Sequence, residues 1–289
     1  MKEEQEKIVE QAMAQPLEKK IRQALMLLQI HEPKALDLWE NGYYLAFSGG
    51  KDSVVIKRLA QMAGVKFKSH YNNVTIDPPE LVRFIKKHHP NTVWNNPEKH
   101  LLTRMVEKRT PPTRLIRWCC SEYKEKGGDG CFKIIGVRAA ESARRKGIWK
   151  QVVLNKRTGI FLCPILYWTD EDVWNFIRQQ NLPYCPLYDE GFSRLGCIGC
   201  PLGGPKAQRK EFDRWPKYEA LWKRAFKKLY EGYKFELTRK GTPRFFAKYD
   251  SWEEFYEWWV SGTRENKKYL KKEECQGSFM FSKDEDGEE

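Results

Sequence analysis

Long apolar runs are missing from this chain: nothing in its 289 residues is long and apolar enough to cross a bilayer. The N-terminus alternates charged with apolar residues, which fits neither a secretory signal peptide nor a transit peptide. A cytoplasmic protein with no membrane partner is the expectation. There is no internal repeat, and the length suffices for a substantial core, so one main α/β domain with helical additions is expected. Acid is in the minority, with 39 Asp and Glu against 52 Lys and Arg and a net charge of +13. The last seven residues, from Lys283 to Glu289, hold five acids and one Lys, so the remainder is more basic still. A catalyst for small anions needs only a local basic pocket. An excess of this size points to a polyanionic partner, DNA or RNA, with a basic surface kept for solubility as the alternative.

The Walker spacing GxxxxGK[ST] is also absent. In its place stands Ser48-Gly49-Gly50-Lys51-Asp52-Ser53, directly after the apolar run Tyr43-Tyr44-Leu45-Ala46-Phe47. A buried strand entering a glycine-rich turn, with a helix starting at Asp52 or Ser53, offers free backbone N–H groups and a helix N-terminus to an anion. The glycines let the main chain approach a phosphate, Lys51 adds a mobile positive charge from an exposed loop, and Ser48 and Ser53 add hydroxyl donors. This segment resembles the PP-loop of ATP pyrophosphatases, enzymes that cut a nucleotide at its α-phosphate. An ordinary Gly-Gly turn with a Ser or Asp helix cap is the alternative.

Residues 1 to about 40 read as two or three helices, with Leu17, Ile21, Leu25 and Leu28 at helical spacing and Pro16 opening that segment. From residue 43 to about 175, short apolar runs alternate with helical segments, the pattern of a parallel sheet with crossovers. Strands are expected over Tyr43–Phe47, Phe67–Tyr71, Thr92–Trp94, Cys131–Gly136 and Gln151–Leu154. Helices are expected over Ser53–Met62, Pro79–Lys87, His100–Lys108 and Asp170–Gln179, the last opened by Thr169 and Asp172 in a near capping box. Residues 181–205 are loop, rich in Pro, Gly and Cys. A basic helix over Pro216–Tyr233 and an aromatic one over Ser251–Val260 follow, and the chain from about Gly277 reads as disordered. Of the eleven Trp residues, Trp168/Trp174 and Trp252/Trp258/Trp259 stand at helical spacing and read as core. The expected divisions are therefore an N-terminal helical segment (1–40), the main domain (41–205), a basic and aromatic helical region (206–276) and an acidic tail (277–289).

Eight cysteines in such a chain do not suggest a disulfide framework. Four are paired, as Cys119-Cys120 and as Cys197-Ile198-Gly199-Cys200. Four thiolates suit zinc or an iron–sulfur cluster. Adjacent cysteines point in different directions, which is awkward around one tetrahedral ion, whereas a cubane offers separate corners. A [4Fe–4S] cluster is therefore the first reading, zinc the second, and four buried structural cysteines the third. Cys131, Cys163 and Cys185 read as core residues. Cys275 is either a mobile nucleophile or a surface thiol.

The stretch Cys163-Pro-Ile-Leu-Tyr-Trp-Thr-Asp-Glu-Asp-Val-Trp-Asn-Phe-Ile177, then Asn181-Leu-Pro-Tyr-Cys-Pro-Leu-Tyr-Asp-Glu-Gly191 and Gly196-Cys-Ile-Gly-Cys200, resembles the phosphoadenosine phosphosulfate (PAPS) reductase family. Gly136-Val-Arg-Ala-Ala-Glu-Ser-Ala-Arg-Arg145 is similar to that family's Gly-[Ile/Val]-Arg-x-x-x-Ser-x-x-Arg segment. The resemblance covers about residues 40–205. It implies a doubly wound, mainly parallel α/β fold of the adenine-nucleotide α-hydrolase type. The Cys-Cys and Cys-x-x-Cys pairs resemble those of iron–sulfur adenylyl-sulfate reductases and DNA-phosphorothioation sulfurtransferases, where they hold a [4Fe–4S] cluster.

Two departures separate the possible activities. Sulfonucleotide reductases generally carry a degenerate loop, whereas Ser48 to Ser53 resembles the intact, ATP-cleaving form. Their Glu-Cys-Gly-[Leu/Ile]-His ending is only echoed by Glu274-Cys275-Gln276-Gly277, with no His after it. The resemblance therefore implies an ATP-dependent sulfurtransferase acting on a nucleic acid. ATP lies over Ser48, Gly49, Gly50, Lys51 and Ser53, Asp52 places Mg²⁺, and Arg138, Arg144 and Arg145 clamp phosphates. Sulfur comes from a donor such as a cysteine desulfurase. A PAPS or adenylyl-sulfate reductase using Cys275 is the alternative enzyme, and a non-catalytic nucleotide- or nucleic-acid-binding regulator the alternative outside catalysis.

Overall fold

A computed structural model describes residues 2–155 and 159–262. In chain order the elements are α1 (Lys2–Met13), α2 (Leu17–Leu38), β1 (Tyr43–Ala46), α3 (Lys51–Met62), β2 (Phe67–Asn72), α4 (Pro79–His88), β3 (Val93–Asn95), α5 (Leu101–Lys108), β4 (Phe132–Ile134), α6 (Ala143–Ile148), β5 (Val152–Asn155), β6 (Gly159–Leu162), α7 (Asp170–Gln179), α8 (Pro205–Arg214), α9 (Pro216–Tyr233) and α10 (Trp252–Ser261). The six strands form one sheet in the order β3-β2-β1-β4-β6-β5. Every neighbouring pair is parallel except β5 with β6. The fold is the expected mainly parallel α/β arrangement with helical additions at both ends. Among the described residues no helix is long and apolar enough to cross a membrane.

The chain divides into two compact units. The first comprises Met1–Asn72, Pro79–Asn95 and Lys126–Leu195 and contains the whole sheet. Tyr43, Leu45, Phe132, Ile134, Phe161 and Leu162 are buried on the central strands, as continuous apolar runs in a parallel sheet should be. From β1 the chain steps outward through β2 and β3, then returns to lay β4 on the other side of β1. That reversal between β1 and β4 is a topological switch point, and the crevice beyond the strands' C-terminal ends there is where open α/β sheets bind ligands. Helix α2 covers the base of this region. Its Ala24, Leu28 and Ala35 are buried, and Leu28 O accepts from the Tyr43 hydroxyl at 2.6 Å. Pro16 stands at its N-cap, as expected, while Pro33 is accommodated inside it.

The expected strands and helices of this unit lie within two residues of their positions in the structure. One strand was not expected. β6 is four residues of which Gly159 is the first, too short a run to announce itself, yet it lies centrally between β4 and β5. Its Gly159 has φ +100°, and a Cβ there would stand 2.7 Å from Cys131 O.

The second unit comprises Asn73–Pro78, Asn96–Glu125 and Gly196–Glu289. Helices α5, α8, α9 and α10 pack together around an aromatic core of Trp222, Phe226, Phe246, Phe255 and Trp259. Trp222 and Trp259 lie 4.6 Å apart between ring centroids, and Phe226 and Phe255 5.0 Å. Trp259 also donates to Pro112 O at 2.6 Å, tying α10 to the 96–125 segment. Helix α8 was not separately expected, because its sequence is charged at most positions and hides a short apolar face carrying Phe212.

Candidate functional site

The chain leaves β1 at Phe47, whose N–H donates to His70 O at 2.8 Å and continues the ladder one residue past the strand. Gly49 then takes φ +75°. A Cβ there would lie 2.7 Å from Ile85 and 2.8 Å from Leu81, so this position accepts only glycine. Gly50 is the N-cap, with φ −75°, and its O accepts from Ser53 Oγ at 2.7 Å. Helix α3 starts at Lys51, one residue before Asp52 and two before Ser53, the expected starts, and the Lys51 N–H donates to the Tyr188 hydroxyl at 2.9 Å. Ser48 Oγ faces Ser53 Oγ and the Gly50 N–H, each at 3.4 Å.

Lys51 is not the exposed, mobile loop residue the sequence suggested. It is only 6% exposed, and its Nζ lies 3.5 Å from Asp52 Oδ2 and 3.4 Å from Asp170 Oδ1. Its ammonium also lies 5.8 Å from the Tyr188 ring centroid. Arg138, 3% exposed, faces the same two carboxylates: Nε donates to Asp52 Oδ1 and Nη2 to Asp170 Oδ1, both at 2.6 Å. Its Nη1 donates to Trp168 O at 3.4 Å. Two cations and two carboxylates thus form one cluster at the switch point.

Topology explains the meeting. β1, β4 and β6 are parallel neighbours, so the segments leaving their C-terminal ends converge. β1 supplies Lys51 and Asp52, β4 supplies Arg138 and β6 supplies Asp170. Gly136 lets them close up, since a Cβ there would lie 3.2 Å from Asp52 Cβ. Burial works against ionisation of Asp170, but Lys51 and Arg138 outweigh it and hold its carboxyl below the ordinary aspartate range. Asp170 and Tyr188 were not anticipated as members of this site. Asp170 stands inside the Thr169/Asp172 capping box, which the structure confirms, and this helix-start role conceals the other.

The two remaining arginines part company with Arg138. Arg145 on α6 pairs with Glu141 of the short 3-10 turn Ala139–Glu141 before it, and the Arg144 side chain lies outside the described residues. Glu141 Oε2 also accepts from the Arg138 N–H at 3.1 Å, so this segment braces the backbone beneath Arg138.

The four paired cysteines all belong to the second unit. Cys119 and Cys120 enter a single π-helical turn over Cys120–Lys124. The two thiols interact with one another by a hydrogen bond. Cys119 also feels Cys197 and Cys200. Cys197 is buried, which pushes its thiol up, while Cys120 is pulled down by the Cys119 hydrogen bond and by Arg117. Arg117 Nη2 donates to Cys120 Sγ at 3.5 Å, and Lys124 faces Cys197. The Cys197–Cys200 turn is pinned on several sides. Gly199 N donates to Glu211 at 2.6 Å, Gln208 donates to Gly199 O at 3.0 Å and Trp222 Nε1 to Ile198 O at 3.1 Å. Gly199 has φ +77°, and a Cβ there would meet Phe212 at 2.6 Å.

Among the described residues, no three His, Cys, Asp or Glu side chains already stand as a metal-binding group. The donor chemistry nevertheless suits an iron–sulfur cluster: Cys119 interacts electrostatically with Cys120, Cys197 and Cys200, and Arg117 and Lys124 oppose the negative charge that four thiolates would bring. Cys163 and Cys185 are buried as expected, Cys131 is half-buried, and Cys275 lies outside the described residues.

Comparison with known proteins places these features. An uncharacterized protein of Methanocaldococcus jannaschii is 28% identical over 204 residues, 61% of this chain and 40% of that protein. Adenosine 5'-phosphosulfate reductase 2 of Bacillus subtilis is 38% identical over 82 residues, 28% of this chain and 35% of that protein. The chain thus spans two fifths or less of the length of these relatives. Among solved structures, the phosphate complex of PAPS reductase from Candida auris aligns with 58% of this chain and 87% of that one, with 17% identity and a TM-score of 0.43. FMN adenylyltransferase of Candida glabrata aligns over 68% and 69%, with 15% identity and a TM-score of 0.46. The phosphoadenosine phosphosulfate reductase domain matches residues 42–202, a span that contains Ser48 to Ser53, Arg138, Asp170 and all four paired cysteines, and the chain belongs to that family.

Proposed function

We propose that the protein is an ATP-dependent sulfurtransferase that cleaves ATP at its α-phosphate and modifies a nucleic acid. The observation that carries this reading is the intact Ser48–Ser53 loop at the switch point with Lys51, Asp52 and Arg138 gathered around it. A domain that only receives an already activated sulfonucleotide has no need of that set.

In this mechanism the triphosphate lies over the turn at Gly49 and Gly50, where the start of α3 favours negative charge. Lys51 turns from Asp170 toward the phosphates and stabilises the charge that grows at the α-phosphate. Asp52, held by Arg138, is the carboxylate placed to bind Mg²⁺, which would offset charge on the leaving pyrophosphate. An oxygen of the target attacks the α-phosphorus, the bond to the β-phosphate oxygen breaks, and pyrophosphate leaves. A sulfur nucleophile, delivered by a donor such as a cysteine desulfurase, then displaces AMP from the adenylylated position. Cys119, Cys120, Cys197 and Cys200 would hold a [4Fe–4S] cluster, which supplies sulfur-handling chemistry when bound; zinc on the same thiols would tie the turns together. Arg117 and Lys124 keep those thiols in an electropositive setting.

A second reading is favoured by the names of the relatives, several of which are adenosine 5'-phosphosulfate reductases. Here the substrate arrives activated: the Cys275 thiolate attacks its sulfur, the S–O bond to the phosphate breaks and the nucleotide leaves, and an external dithiol reductant such as thioredoxin then releases sulfite from the Cys275 S-sulfonate.

Pyrophosphate release from ATP by anaerobically purified protein, with and without DNA or RNA, tests the two. Release stimulated by one polymer supports sulfurtransfer to that polymer. Sulfite from PAPS or adenylyl sulfate, with no pyrophosphate released from ATP, identifies the reductase.

A further inference from the structure

Beyond the end of α9 the chain forms a small hairpin that the site described above does not use. Leu237 bridges Pro243 in antiparallel fashion, and the Thr238 N–H donates to Thr242 O at 2.7 Å. The Gly241 N–H closes the turn on Thr238 O at 2.9 Å, with Gly241 at φ +72°. The base is held hard. Glu236 pairs with Arg109 at 2.6 Å and with Arg244 at 3.4 Å, and the Arg109 guanidinium lies 4.9 Å over the Tyr233 ring.

What this rigid base presents is unusual for a surface kept only for solubility. Phe235 is 90% exposed and Leu237 55%. Arg239 and Lys240 occupy the tip, both exposed, and make no ion pair with another described residue. The surrounding segment, residues 206–250, holds fourteen Lys and Arg against six Asp and Glu. A single exposed apolar residue needs no explanation. An exposed ring on a hydrogen-bonded hairpin that carries two cations at its tip is a different case: Lys234 Nζ lies 5.8 Å from the Phe235 ring centroid, and the rest of the ring is left to water. An acidic peptide would use the cations and leave the ring idle. A single-stranded or locally opened nucleic acid uses both, with phosphates on Arg239 and Lys240 and an unstacked base on Phe235.

We infer that the hairpin from Phe235 to Arg244 is a nucleic-acid contact, with Phe235 as a base-stacking platform and Arg239 and Lys240 as phosphate contacts. This rests on the proposal that the target is a nucleic acid. The partner it favours is a strand with unpaired bases, since a base inside a duplex offers no free face to Phe235.

The test uses the full-length protein with fluorescently labelled single-stranded DNA, single-stranded RNA and duplex DNA, titrated at low and at moderate salt. Phe235→Ala should weaken single-strand binding about tenfold while leaving the salt slope unchanged. Arg239→Gln with Lys240→Gln should weaken binding of all three polymers and flatten the salt slope by about two phosphate contacts. Pyrophosphate release from ATP without polymer should be unchanged in both variants, and unchanged thermal melting would show that both are folded. Wild-type binding that neither variant alters would overturn the hairpin inference while leaving the nucleic-acid reading standing. Absence of wild-type binding at low salt would overturn both. If an acidic protein occupies the hairpin and oligonucleotides do not compete with it, the inference is wrong about the partner.

Discussion

Arg138 holds Asp52 at 2.6 Å through Nε, so a residue leaving a neighbouring strand end holds the carboxylate nearest the loop more closely than Lys51 of its own helix, whose Nζ lies at 3.5 Å. The same guanidinium holds Asp170 through Nη2. Removing it leaves two carboxylates that share Lys51 alone. Arg138→Ala should lower stability by about 2–4 kcal/mol, the range for a buried pair that loses one partner, reduced because Asp170 is largely exposed. Arg138→Lys keeps the charge but cannot reach both carboxylates with a planar fork. It should recover most of the stability in thermal denaturation and little of the pyrophosphate release. Full recovery of both would mean that only the charge matters at this position.

The two loop glycines should respond differently. Gly49→Ala places a Cβ 2.7 Å from Ile85 at φ +75°, so it should cost about 1–3 kcal/mol and shift the loop. Gly50→Ala has ordinary backbone geometry, and its nearest neighbour is the Tyr188 hydroxyl at 3.4 Å. It should fold as the parent does and lose ATP binding, since the methyl group stands where a phosphate needs to approach. Calorimetric titration of ATP together with melting temperature separates the two effects. Loss of stability in Gly50→Ala would contradict this account.

Lys57 and His89 give the fold an unusual pH dependence. Burial lowers the Lys57 ammonium to about 8, although Thr92 Oγ1 lies at 3.3 Å and the Phe47 ring at 4.9 Å. Between about pH 8 and its ordinary value near 10.5 the unfolded chain holds this proton and the folded chain does not, so stability rises with pH across that window. His89 is lowered to about 4 by burial and by Lys57, so stability should fall as pH drops from 6.5 toward 4. Lys57→Met should raise stability at pH 7 by about 1–3 kcal/mol and remove the alkaline rise. Chemical denaturation at intervals from pH 4 to 10 reads both limbs, and a flat alkaline limb in the wild type would show that Lys57 stays charged.

The loop, the strand that leads into it and the α7 cap were legible because each is announced by contiguous residues: Ser48 to Ser53 after an apolar run, and Thr169 with Asp172 three residues on. What was not legible is set by tertiary approach. Asp170 reaches Lys51 and Arg138 only because β6 lies beside β4, and β6 is a four-residue strand with no period to detect. Lys51 was expected to be exposed, since nothing local says that a glycine-rich turn will fold its lysine onto a carboxylate from elsewhere. Similarly, the packing of α5 against α9 brings residues 96–125 to the C-terminal helices without any local signal. A π-helical turn over Cys120–Lys124 follows Cys119, and five residues of sequence do not reveal that turn.

The cysteine set carries the remaining prediction, and it separates ligation from packing. Gly199 has no room for a side chain, so the Cys197–Cys200 turn is shaped by Phe212 and Trp222 before any ion arrives. Cys197→Ser and Cys200→Ser each change one atom inside that turn and should leave the surrounding hydrogen bonds to Glu211 and Gln208 in place. In protein made anaerobically with iron and sulfide, each substitution should therefore remove the broad visible absorbance and the iron without a large loss of helix content. Stoichiometric zinc with no iron or sulfide in the wild type would assign the thiols to zinc. No bound metal of either kind, with folding unaffected by both substitutions, would make the four cysteines packing residues. Glu211→Gln supplies the control, because it weakens the hydrogen bond that fixes the Gly199 N–H while leaving all four thiols, and should lower cluster occupancy only partly.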